Sequence, residues 1–260
     1  MRKALVAALA LASANVPCGA ADLAELKTRG TLRVIAAADE APETFSFTGG
    51  PSPGFDRELI EGFVRLHGLR LEAVKAKSYA DRIPALGRDE GDVIVAIFDT
   101  EDRRKVVDFT VEVMPTHNVA VTLDSRPAVK TEAELASLRV GAVRGAKPAD
   151  EALAAGVPAS ALQLFDTQEE MTAALRRGSV DAVVLPISEF AVASRQTQGL
   201  TAGTTVGPKG KVAWAVRKGD GALRQALDEY LTNFRRGPSW SRLIVKYFGD
   251  QALQVLGREK

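Results

Sequence analysis

Apolar positions along this chain follow two different periods in alternation. Residues 93–98 and 182–185 are short continuous apolar runs rich in Val and Ile, as expected of strands buried on both faces, and residues 32–37 read as a strand too. Residues 69–74 alternate apolar and polar like a strand with one wet face, and 119–123, 139–143 and 211–216 add further strands. Between them the apolar residues recur at helical spacing. Leu59, Ile60, Phe63, Val64 and Leu66 make one face of a helix over 56–67 that Gly68 closes. Residues 171–177, ended by Gly178, and 222–234 and 240–248 read the same way, and a shorter helix starts at Arg82. Thr131-Glu132-Ala133-Glu134 has the form of a capping box. The alternation predicts α/β layers, with helices on both sides of a mostly parallel sheet.

The most informative stretch is GDVIVAIFDTEDRRKVVDFT, residues 91–110. Its apolar run breaks at Asp99 into a polar turn that opens a short helix and carries Arg103 just past the strand's C-terminal end. In open α/β sheets ligands bind at that edge. A guanidinium there offers a planar fork of donors suited to a carboxylate; on residue type alone, a surface arginine at a helix start is the plain alternative.

The run resembles the signature of the bacterial extracellular solute-binding proteins of the amino-acid (polar and basic) family, in which a strand leads into T-x-x-R and then D-F-[ST]. Thr100, Arg103, Asp108 and Phe109 stand in the matching places. The likeness extends from Leu32 to Phe248 through TLRVIAAA, GFDRELIEGFVRLHG, Ile83-Pro84-Ala85-Leu86, EEMTAALRRGSVDAVV and ALRQALDEYLTNFRRGPSWSRLIVKYFG, in the family's order. It implies a two-lobed α/β fold of the type II periplasmic-binding-protein kind, each lobe a mostly parallel sheet flanked by helices, joined by two hinge strands. Lobe 1 would comprise residues 24–113 and 208–260, and lobe 2 residues 114–207.

Charge and termini narrow the setting. A formal net charge of +1 without a basic stripe argues against nucleic-acid binding. Met1-Arg2-Lys3, an alanine-rich apolar run and the small residues Gly19, Ala20 and Ala21 follow the order of a cleavable secretory signal, residues 1–20. A soluble periplasmic protein is therefore expected. Cys18 is the single cysteine; Asn15-Val16-Pro17 before it lacks the small residue a lipidation box requires, and after cleavage no thiol remains. A disulfide, a cysteine-built zinc site and a cysteine nucleophile are thereby excluded, and no cofactor or metal is expected.

The resemblance assigns roles to particular residues. Arg103 is expected to take a ligand carboxylate. Ala96 and Phe98 occupy places where relatives have polar groups, so a ring at Phe98 either enters the pocket or belongs to the core. Glu40 stands about where an aromatic wall would be, with Phe45 as a neighbouring ring. Tyr79 is either the second wall or a half-buried surface tyrosine. In lobe 2 the family's glycine and threonines at a helix N-terminus become Gly145-Ala146-Lys147-Pro148, and the aspartate that meets an α-ammonium becomes Pro186. An unpaired ammonium in a closed cleft is strongly unfavourable, so Lys147 beside Arg103 suits an anion without an α-ammonium, unless Glu40 supplies the replacement acid. His67 reads as a helix cap, and His117 falls near the first crossing.

The expected function is capture of a small carboxylate-bearing or anionic solute in the interlobe cleft, by a monomer serving an ABC permease. Two alternatives stay open: an accessory periplasmic protein that binds a partner, or an enzyme similar to cyclohexadienyl dehydratase with Glu40 as its acid.

Overall fold

The computed structural model describes residues 23–38, 40–196 and 198–257. The expected signal segment, Cys18 and the expected cleavage point lie outside them. The strands are β1 (Thr31–Ala37), β2 (Arg70–Ala76), β3 (Val93–Phe98), β4 (Val107–Phe109), β5 (Met114–Leu123), β6 (Val140–Val143), β7 (Leu162–Phe165), β8 (Ala182–Pro186) and β9 (Leu200–Arg217). The helices are α1 (Leu23–Arg29), α2 (Phe55–Leu66), α3 (Arg82–Gly87), α4 (Glu101–Arg104), α5 (Glu132–Ala136), α6 (Lys147–Ala154), α7 (Gln168–Arg176), α8 (Ile187–Gln196), α9 (Gly221–Arg236), α10 (Pro238–Phe248) and α11 (Ala252–Val255).

The strands order as β2-β1-β3-β9-β5-β8-β6-β7, with β4 paired on β9. Pairing is parallel at both outer parts, β2-β1-β3 and β8-β6-β7, and antiparallel in the middle around β5 and β9. These two strands join the halves of the molecule. Met114 pairs with Val212 on one side, Leu123 pairs with Leu200 on the other, and the register shifts between Thr116 and Asn118. The first half of β9, LTAGTTVGP, is rich in Gly and Thr and reads as loop by composition; pairing with β5 along its length makes it strand.

Apolar burial divides accordingly. One core forms where α2, α9 and α10 cover β1 and β3, around Trp214, Phe63, Leu59 and Leu227. The other face of the same strands packs Ile35, Ile94 and Ile97 with Leu86 of α3. The second lobe builds its own two layers, around Met171 and Leu175 of α7 and around Leu135 and Ala152 of α5 and α6. Phe45, proposed above as a neighbouring pocket ring, is fully buried in the first core, edge-on to Phe47.

Candidate functional site

Arg103 is positioned by the end of β3. Thr100 adopts extended backbone and caps α4, its hydroxyl accepting from the Arg103 N–H at 3.3 Å. That cap satisfies one of the N–H groups a helix start leaves over. The Arg103 guanidinium donates through Nη1 to the Phe98 carbonyl at 3.0 Å. No described carboxylate lies within 4.0 Å of it. Burial, reinforced by the nearby Arg82 charge, pushes its pKa down to about 10, with Asp150 opposing from a distance. Thr100 thus serves the cavity by holding Arg103, and does not line it.

Behind Arg103 lies a buried charge cluster that sequence reasoning resolved only in part. Arg82, 3% exposed, opens α3 and donates Nη1 to the carbonyls of Val95 at 3.3 Å and Ala96 at 3.1 Å. The same nitrogen lies 3.6 Å from Glu40, and the guanidinium stacks 4.6 Å from the centre of the Tyr79 ring. Glu40, 6% exposed, accepts the Tyr79 hydroxyl proton at 2.9 Å. Glu40 and Tyr79 therefore do meet at the cleft, but Glu40 is engaged by Arg82, which the sequence pattern marks only as a helix start. Asp56 at the head of α2 is also buried; it accepts from Trp214 Nε1 at 2.8 Å and from the Ala96 backbone N–H. Burial pushes its pKa up to about 7, against those two hydrogen bonds. Ala96 can serve both Arg82 and Asp56 because β3 bulges between Ile94 and Ile97, which puts Ala96 at φ 50°.

The second lobe closes against this wall. Gly145 has φ 72°, and a Cβ there would sit 2.8 Å from that of Ala80, so the approach of the two lobes at this point needs glycine. Ala146 and Pro148 line the cavity at the start of α6. Lys147 lines it too, with its Nζ 3.7 Å from Glu151, a buried acid that also accepts from the Asn118 amide. Its positive charge is thus matched within its own lobe. Pro186 ends β8 in the wall, and α8 begins at Ile187 with no intervening loop. Three residues on, Glu189 borders the same cavity. Nothing in the family's motif marks Glu189; the only available signal is that it lies one helical turn beyond the strand end.

These residues enclose an interlobe space of about 440 Å³, counting its solvent-open side, walled by Tyr79, Arg82, Phe98, Arg103, Lys147 and Glu189 among others. Phe98, half-buried, faces both this space and an adjoining one of about 510 Å³ that reaches Glu40 and Asp56. The room left for the centre of a water-sized sphere is about 30 Å³ in the first space and about 50 Å³ in the second. Among the described residues no three His, Cys, Asp or Glu side chains gather to hold a metal ion, and no helix is long and apolar enough to cross a membrane. His67 caps α2, its ring 4.4 Å from that of Phe63, away from the cavity.

The model of the bacterial extracellular solute-binding proteins, family 3, matches residues 32–250. This chain belongs to that family. Among curated proteins it is 26% identical over 255 residues to an L-arginine-binding protein of Pseudomonas aeruginosa, covering 94% of this chain and 95% of that one. It is 24% identical over 242 residues to a membrane-bound lytic murein transglycosylase F of Pseudomonas putida, covering 90% of this chain but 49% of that protein. The chain thus spans about half the length of those transglycosylases. A solved variant of ArgBP from T. maritima superposes with a TM-score of 0.77 at 27% identity, over 88% of this chain and 99% of that one. As a family 3 solute-binding protein the chain has the two-lobed, type II fold of these neighbours, and its cavity lies between the lobes.

Proposed function

We propose that this protein captures a small carboxylate-bearing solute between its lobes and releases it to an ABC permease, without chemistry on the solute. The observation that carries this reading is Arg103: a half-buried guanidinium on the cavity wall with, among the described residues, only a carbonyl as hydrogen-bond acceptor. A buried cation in that state gains most from a ligand carboxylate, through charge-assisted and potentially bidentate hydrogen bonds. The likeness to the L-arginine-binding protein, which covers nearly all of both chains, supports solute binding over an accessory role. Engagement of Glu40 by Arg82 and Tyr79 speaks against its use as a catalytic acid. Residues 24–113 with 208–260 would close on 114–207 about the β5 and β9 crossings. Family membership supports a periplasmic receptor.

The test is Arg103→Ala, assayed by calorimetry with the carboxylates that raise the melting temperature of the wild-type protein. Affinity should fall by about 2–5 kcal/mol, with the unfolding free energy unchanged or slightly higher, because a poorly compensated buried cation is removed. Undiminished affinity would sink the assignment.

A further inference from the structure

Resting on capture of a carboxylate at Arg103, we infer that the Phe98 ring partitions the cleft and thereby limits how long a solute it accepts. Ala96 and Phe98, two residues apart along β3, both line the interlobe spaces, while Ile97 between them packs into the core behind. Among the described residues Phe98 belongs to none of the four apolar cores and meets no other aromatic ring. A half-buried phenyl ring outside the core keeps apolar surface that a ligand can cover. The ring belongs to the cleft.

Its placement decides what it separates. Phe98 ends β3, where it pairs with Val212 of β9, and its carbonyl accepts from Arg103, so its backbone is held from two sides. The first space is walled by Arg103; the second is not, and runs on to Met114, Val212 and Phe248. Ala96 and Phe98 from one lobe, and Pro186 and Glu189 from the other, border both spaces. The boundary therefore lies at these four residues, and the phenyl is the largest side chain among them. Room of about 30 Å³ holds roughly two or three waters, so the first space alone suits a short solute. A longer chain anchored on Arg103 meets the ring before it reaches the second space. The plain alternative is that Phe98 is only one more apolar contact to whatever binds. That role predicts the same loss for every ligand when the ring is removed.

Two homologous series serve as probes: the straight-chain monocarboxylates from acetate to octanoate, and the 2-amino acids from glycine to 2-aminooctanoate. Each member is titrated calorimetrically into wild type, Phe98→Ala, Phe98→Leu and Arg103→Ala. In wild type the affinity should peak at a short chain and fall at least about tenfold over the next two or so carbons. In Phe98→Ala the peak should move about two carbons longer. Members beyond the wild-type peak should then bind about tenfold tighter than they bind wild type, the gain expected when two more methylenes leave water. Phe98→Leu should move the peak by about one carbon, and decides the matter alone if alanine unfolds the chain. A peak that stays in place, a loss by one factor at every length, or a wild type without a length limit overturns the partition and leaves carboxylate capture standing. If no member binds wild type, or if Arg103→Ala keeps full affinity for the short members, carboxylate capture fails and the partition fails with it.

Discussion

The two ends of β3 carry arginines in opposite circumstances. At its N-terminal end Asp92, fully buried, gathers Arg29, Arg33 and Arg217. One Asp92 oxygen lies 2.8 Å from Arg33 Nη2 and the other accepts the Arg33 backbone N–H at 2.7 Å. The hydrogen bond to Asp92, with help from Asp89, holds the Arg33 guanidinium above its usual pKa. At the C-terminal end Arg103 has one carbonyl, and burial moves its pKa in the opposite direction. Arginines drawn from other elements are thus completed by the protein at one end of this strand, and the arginine just past its other end is not. The completed end serves the fold. The incomplete one lies at the carboxyl edge of the parallel strands, where such sheets bind ligands.

The largest effect should come from breaking the completed end. Asp92→Asn removes the charge that three arginines share and leaves buried donors facing a neutral amide. A loss of about 3–5 kcal/mol of unfolding free energy is expected, from the general cost of removing one partner of a buried ionic group. Solute affinity in the folded fraction should barely change. Urea unfolding measures the first quantity and calorimetry the second; a loss below about 1 kcal/mol would show that the arginines find other partners.

Next in size is the pH dependence set by Asp56, a buried acid beside the incomplete end. The native state keeps a proton up to about pH 7 that the unfolded chain releases near 3.8. Stability from this group is therefore full below pH 3.8, declines as pH rises through that window, and is flat above it. Asp56→Asn retains an acceptor for Trp214 and abolishes this part of the slope. Relative to wild type it should be neutral at pH 4 and more stable at pH 7.5 by up to about 4 kcal/mol. Urea titrations at pH 4, 5.5 and 7.5 provide the test, and equal slopes in the two proteins would contradict it.

The contrast between the ends also shows what the sequence makes legible. Arg103 can be found because its signals are local: an apolar run, a polar turn and a Thr cap within a dozen residues. Strands β1 and β3 and helices α2, α9 and α10 are legible for the same reason, their periods being strong. Arg82 is different. Its role depends on Glu40, far away in sequence, and on carbonyls turned toward it by a bulge, neither of which leaves a local pattern. Lys147 too has a partner that its motif does not announce. Its position suggests a free anion-binding charge, whereas Glu151, one turn along α6, holds it.

The smallest predicted effect concerns the bulge that makes the two ends differ. Ala96 at φ 50° aims its N–H at Asp56 and its carbonyl at Arg82, and only this backbone turn lets one residue hold both groups. A residue with a Cβ in that region costs about 1–3 kcal/mol, while glycine forfeits roughly 0.5–1 kcal/mol through the greater freedom of the unfolded chain. Ala96→Gly should therefore gain about 0.5–1 kcal/mol. Ala96→Val should lose at least about 1 kcal/mol, because a β-branched side chain tolerates positive φ worst. Chemical denaturation of the pair decides the matter. If glycine destabilises and valine does not, the Ala96 conformation is not what shapes this end of β3, and the hydrogen bonds to Arg82 and Asp56 must be held from elsewhere in the cluster.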